Sequence, residues 1–129
     1  MAEPQGNHLK STVDQGVLVL TLTTAKIEGE AIADGLLQEM LAAIAGIEPP
    51  KVVVDFQFTH YLSSVAFRTL LGFRRKVLES SGRLVLCGLN PVVGDVFYTT
   101  RMISTDPQTT APFAMETDVS AAVARLAQP

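Results

Sequence analysis

Two short apolar runs constrain this chain more than any other feature. Lys51-Val52-Val53-Val54-Asp55 and Arg83-Leu84-Val85-Leu86-Cys87-Gly88 carry unbroken apolar residues, β-branched in the first, without polar alternation. That pattern fits strands covered on both faces, as in a parallel sheet. Between them a helical pattern starts at Ser63 or Ser64 and runs to Ser80. Ala66, Leu70, Phe73 and Val77 form its apolar stripe, flanked by Phe67, Leu71 and Leu78, while Arg68, Gly72, Arg75 and Glu79 fall on the opposite face. Gly82 ends it.

The remaining segments fit around this centre. Leu9–Val13 and Val17–Thr23, separated by Asp14-Gln15-Gly16, read as a β-hairpin. In the second arm Leu18, Leu20 and Leu22 alternate with Val17, Val19, Thr21 and Thr23, so the leucines are expected to face the core and the other side to be more mixed. Glu30–Ala45 places Ile32, Leu36, Met40 and Ile44 on one helical stripe with Leu37 and Leu41; Gly46 and the Pro49-Pro50 pair stop it. Phe56–Leu62 is a mixed connection. Asn90 followed by Pro91 marks an N-cap and first helical residue for a short helix to about Thr100. Ser104–Pro112 reads as a loop, Phe113–Met115 as a short strand, and Asp118 as the cap of a last helix through Val119, Val123 and Leu126. The order predicts an α/β domain spanning residues 9–129: a mixed sheet of four to five strands with about four helices packed on it, preceded by a polar arm over residues 1–8.

Charge and composition narrow the function. Ten Lys and Arg against 13 Asp and Glu give a net charge of −3, so no overall field draws a polyanion, and nucleic acid is not expected. The start lacks a secretory pattern, and charges interrupt every apolar stretch well short of the roughly 20 residues that span a bilayer. A cytoplasmic protein without membrane insertion is expected. The single cysteine, Cys87, lies in an apolar run and reads as an inert core thiol. His8, His60 and Cys87 have no zinc-like spacing, so no metal is expected. Asp55, His60 and Ser64 contain hydrolase side chains without a Gly-x-Ser-x-Gly elbow, and no enzyme is expected. There is no glycine-rich phosphate loop and hence no cofactor; any nucleotide belongs to a partner.

The candidate site lies where Asp55 ends a strand and Ser63-Ser64 opens a helix. The carboxylate and the two hydroxyls are expected to meet at the carboxyl edge of the sheet, the usual place for sites in open α/β sheets. A phosphate on Ser64 would be stabilised by the free N–H groups and dipole of the helix start. The alternative is that Ser63 or Ser64 serves only as an N-cap.

From Val52 to Arg101 the chain resembles a STAS domain, the fold of bacterial anti-sigma factor antagonists. The resemblance rests on Val52-Val53-Val54-Asp55, on Tyr61-Leu62-Ser63-Ser64, on Gly82-Arg83-Leu84 running to Gly88-Leu89, and on Thr100-Arg101-Met102, in order and at matching spacing. It implies a non-enzymatic switch in a bacterial regulatory circuit, in which a kinase-type anti-sigma partner phosphorylates the position occupied here by Ser64, with Ser63 the less favoured acceptor. Where the family motif has Asp-Ser-Ser-Gly this chain has Ser63-Ser64-Val65-Ala66, keeping the acceptor hydroxyl and losing its acidic neighbour. Asp55, Ser63, Ser64, Arg68 and Arg75 are the implied partner-binding residues; an exposed Arg-bearing helix face can equally be only solvated. Two other uses stay open: an unphosphorylated scaffold or subunit on a transporter ATPase or stress-signalling complex, and a module that binds a small anion at the Ser63-Ser64 helix start. The Ser104–Pro112 loop is longer than the family usually allows there and is either a variable surface insert or a contact for a different partner.

Overall fold

A computed structural model describes residues 8–103 and 111–128. Almost all of the expected arm and most of the Ser104–Pro112 loop lie outside the described residues.

The hairpin forms from β1 (Leu9–Asp14) and β2 (Val17–Leu22), in antiparallel register from Leu9 opposite Leu22 to Asp14 opposite Val17. Its two-residue turn has positive φ at both Gln15 and Gly16 (54° and 78°). That geometry matches the right-handed twist of the flanking strands and favours glycine at the second position. After a two-residue strand β3 (Lys26–Ile27) comes α1 (Glu30–Ile44). Then follow β4 (Lys51–Asp55), the two-residue β5 (Tyr61–Leu62), α2 (Ser64–Glu79), β6 (Arg83–Cys87), α3 (Pro91–Thr99), β7 (Ala114–Glu116) and α4 (Val119–Ala127). The Asn90 side chain accepts the Val93 N–H at 2.8 Å and Asp118 accepts that of Ala121 at 2.9 Å, so both expected caps satisfy amides that the helices leave free.

The main sheet runs β1-β2-β4-β6-β7. β2, β4, β6 and β7 are parallel, and only β1 is antiparallel to its neighbour. Register aligns Leu20 with Val54 and Leu86, and Val19 with Val53 and Val85. Because side chains alternate faces, the leucine row points to α1 and α2, into a core containing Leu36, Met40, Leu70 and Phe73. The valine row points to α4 and packs with Ala122, Val123 and Leu126. On this second face of the hairpin arm Val17 and Val19 are buried, because α4 returns across the sheet to cover them, whereas Thr21 is half-buried and Thr23, just past the strand, is exposed. Phe97 of α3 holds the carboxyl end of the core, meeting Phe56, Phe67 and Phe113 edge-on at centroid distances of 5.6, 5.1 and 6.4 Å.

The sequence pattern missed β3 and β5, which pair in parallel as a separate two-stranded sheet, Lys26 with Tyr61 and Ile27 with Leu62. Two residues are too few to show alternation. No helix among the described residues is long and apolar enough to cross a membrane.

Candidate functional site

The start of α2 is held in place from below. Ser63 occupies the N-cap position in extended conformation (φ −96°, ψ 174°). Its N–H donates to the Ile27 carbonyl at 2.9 Å, continuing the β3–β5 ladder, and its hydroxyl points to the same carbonyl at 3.5 Å. Neither serine therefore caps the helix through its side chain. Ser63 is half-buried, whereas Ser64, the first helical residue, is exposed. The first turn of α2 contains no acidic residue, so the positive end of the helix faces no charge of its own.

Asp55 does not join the serines. It lies on the same parity as Val53 and so turns toward the α4 side of the sheet, away from the face on which α2 packs. Its neighbours in register are Thr21 and Cys87. One carboxylate oxygen accepts the Gln57 N–H at 3.0 Å; the other accepts the Gln57 side-chain amide and, at 3.4 Å, the Thr21 hydroxyl. Cys87 Sγ lies 3.8 Å from the first oxygen. With 1% exposure, Asp55 offers no surface to a partner. It positions Gln57 and hence the start of the connection that leads to Ser63. The space it uses depends on Gly88 (φ 72°), where a Cβ would stand 2.5 Å from the Asp55 oxygen.

Burial, then the adjacent Asp55 charge, pushes the Cys87 thiol up to about 12, so it stays protonated and poorly nucleophilic at neutral pH. No group of three or more metal-ligating side chains occurs among the described residues; His8 is paired with Glu39, and His60 is exposed.

Arg68 and Arg75 are both exposed on α2, two turns apart. Arg68 borders a shallow cavity of about 50 Å³ with Asp34, Leu37 and Val65. Arg74, between them in sequence, instead donates from Nε to the Pro112 carbonyl at 2.7 Å and ties the segment before β7 to α2. Sequence reasoning also missed an exposed apolar component in the segments around the candidate site. Phe58 and Tyr61, in the connection that ends at the α2 start, are 52% and 47% exposed, and Val92 at the start of α3 is 63% exposed. The Asn90 side-chain amide donates to the Thr59 carbonyl at 3.2 Å, which fixes that connection to the start of α3. The clue available in the sequence was three aromatic residues, Phe56, Phe58 and Tyr61, in a seven-residue connection whose other members include Gln57, Thr59 and His60.

Residues 8–108 match the family model of the STAS domain. The chain is 33% identical over 98 residues to BtrV of Bordetella bronchiseptica, a protein named as an anti-sigma factor antagonist, covering 68% of this chain and 84% of that one. The fold is similar to an anti-sigma-factor antagonist (STAS) domain protein from Planctomyces limnophilus, with TM-score 0.74 at 19% identity over 93% of this chain and 98% of the other. It is also similar to the Bacillus cell fate determinant SpoIIAA in its phosphorylated form, with TM-score 0.64 at 18% identity over 92% and 98%.

Proposed function

The chain belongs to the STAS domain family, and from that premise we propose that it is a cytoplasmic, non-enzymatic regulator that binds a kinase-type anti-sigma partner and releases it when Ser64 is phosphorylated. The observation that carries this reading is the placement of Ser64: exposed, first in α2, in a helical turn free of acidic side chains. A kinase can reach its hydroxyl, and the free N–H groups and dipole of the helix start favour the phosphate once formed. Arg68, one turn further on, stands at the spacing from which a guanidinium pairs with such a group.

The docking surface in this reading combines Ser64, Arg68 and Arg75 with the exposed Phe58 and Tyr61, an apolar anchor beside a charged rim. Phosphorylation adds nearly two negative charges, which the interface would have to desolvate. Release follows from that cost. Asp55 and Ser63 act from beneath, holding the loop and the helix start.

Affinity capture from the native host's lysate with wild type, Ser64→Ala and Ser64→Glu tests the reading. The wild-type and alanine baits are expected to retain an ATPase of the kinase type, and the glutamate bait to bind it at least about tenfold more weakly. Equal retention by all three overturns the switch. A second reading, an unphosphorylated scaffold or subunit on a transporter ATPase or stress-signalling complex, draws on Ser63 standing where the family motif has Asp; equal retention of one such complex by all three baits would favour it. Titration of the isolated domain with inorganic phosphate addresses the anion-binding alternative, for which saturable binding lost in Ser64→Glu is the expected signature.

A further inference from the structure

Among the described residues the sheet ends at β1. Beyond Leu9, every residue of β1 is exposed, and no strand lies outside it among the described residues. The Thr23 N–H donates to the His8 carbonyl at 2.8 Å. In this register that bond makes the even-numbered residues 10, 12 and 14 the ones that exchange hydrogen bonds with β2. The amides and carbonyls of Ser11 and Val13 therefore point outward, an open template for another strand.

The side chains along this edge are self-complementary. Lys10 and Asp14 lie symmetrically about Thr12. If a second β1 runs antiparallel with Thr12 opposite Thr12, each Lys10 faces the other copy's Asp14, twice per dimer. Ser11 and Val13 then exchange the four outward main-chain bonds, and the Lys–Asp pairs occupy the non-hydrogen-bonded positions where side chains approach closest. A lysine on an edge strand ordinarily repels a second copy; here Asp14 converts it into a pairing rule.

Shape agrees with charge. Val13 is 70% exposed, more than any other large apolar side chain described. Between β1 and α1 lies an open groove of about 790 Å³, lined by Leu9, Ser11, Ala42 and Ala43 among others. Leu9, Ser11 and Val13 share the α1 face of the strand, so pairing about Thr12 brings the second copy's Val13 opposite Ser11, at the mouth of this groove. Glu39, the acidic residue on its wall, is already paired with His8.

We propose that β1 is a homodimer interface, through which two copies of this chain form one continuous ten-stranded sheet centred on Thr12. The proposal is independent of Ser64, because the edge and α2 are different surfaces, and it does not rest on the switching reading.

Sedimentation equilibrium of wild type, Lys10→Asp, Asp14→Lys and the double variant tests it. Wild type is expected to be dimeric at about 50 µM, and each single reversal, which sets like charges opposite each other twice, to weaken association by about tenfold or more. The double variant restores both pairs with signs exchanged and is expected to dimerise again. An equimolar mixture of the two single variants is expected to form a heterodimer, since both acidic side chains of one variant's edge then face the two lysines of the other's. That rescue also shows that both variants are folded. A wild type that stays monomeric, or a dimer indifferent to either reversal, overturns the proposal.

Discussion

Asp55 illustrates how one strand position decides what a carboxylate can do. Its place at the end of β4 was legible in the sequence, as was the helix opening at Ser63-Ser64. Which face the carboxylate takes was not, because parity within a strand buried on both sides leaves no polar–apolar alternation to read. Asp55 consequently meets Thr21, Gln57 and Cys87, and its charge bears on a thiol instead of on a serine. A measurable pH dependence follows. Cys87 titrates near its ordinary value of 9.0 when unfolded and at about 12 when folded. Between those values the unfolded chain has lost a proton that the native chain retains, so stability falls as pH rises. At pH 10 the loss from this group amounts to about 1 kcal/mol. Denaturant titrations at pH 8 and pH 10 are expected to show that decline in wild type and a correspondingly smaller one in Cys87→Ala. An identical decline in both would remove Cys87 as its cause.

At the scale of elements, α1, α2, β4 and β6 were legible because each carries a long apolar stripe or an unbroken apolar run, and α3 because Asn90-Pro91 announces its start. The β3–β5 pair was not, yet it supports the candidate site: without the Ile27 carbonyl, the Ser63 N–H would lose its partner. The aromatic cluster was equally hidden, since Phe56, Phe67, Phe97 and Phe113 come from four separate segments. Phe97 is its hub and is fully buried, joining α3 to α2 and to the segments after β4 and before β7. Truncation there creates a cavity that rigid secondary structure cannot fill, and Phe97→Ala is expected to cost about 3–5 kcal/mol. Chemical denaturation monitored by circular dichroism checks this. A loss below about 1 kcal/mol would mean that α3 contributes little to the core.

For the whole molecule, the order of elements in the sequence predicts the mixed sheet, but not how its second face is closed. The family match ends at residue 108, before α4 begins at Val119. That short helix nevertheless covers Val17, Val19, Val53 and Val85 through Ala122, Val123 and Leu126. Arg125 pairs with Glu116 of β7 at 2.9 Å, and the Arg83 guanidinium donates to the Gln128 carbonyl at 3.2 Å, so the C-terminal end of α4 is tied to β7 and β6. Removing the helix would expose those four valines together with Cys87, at about 2 kcal/mol for each valine side chain returned to water. The sum is comparable with the entire stability of an average domain. A chain ending at Thr117 is therefore expected to lose cooperative thermal unfolding and to bind a hydrophobic dye at room temperature. The point variant Leu126→Ala should remain folded and lose about 2–5 kcal/mol. If the shortened chain melts cooperatively near the wild-type temperature, α4 is an accessory, and the α1–α2 core sustains the sheet alone.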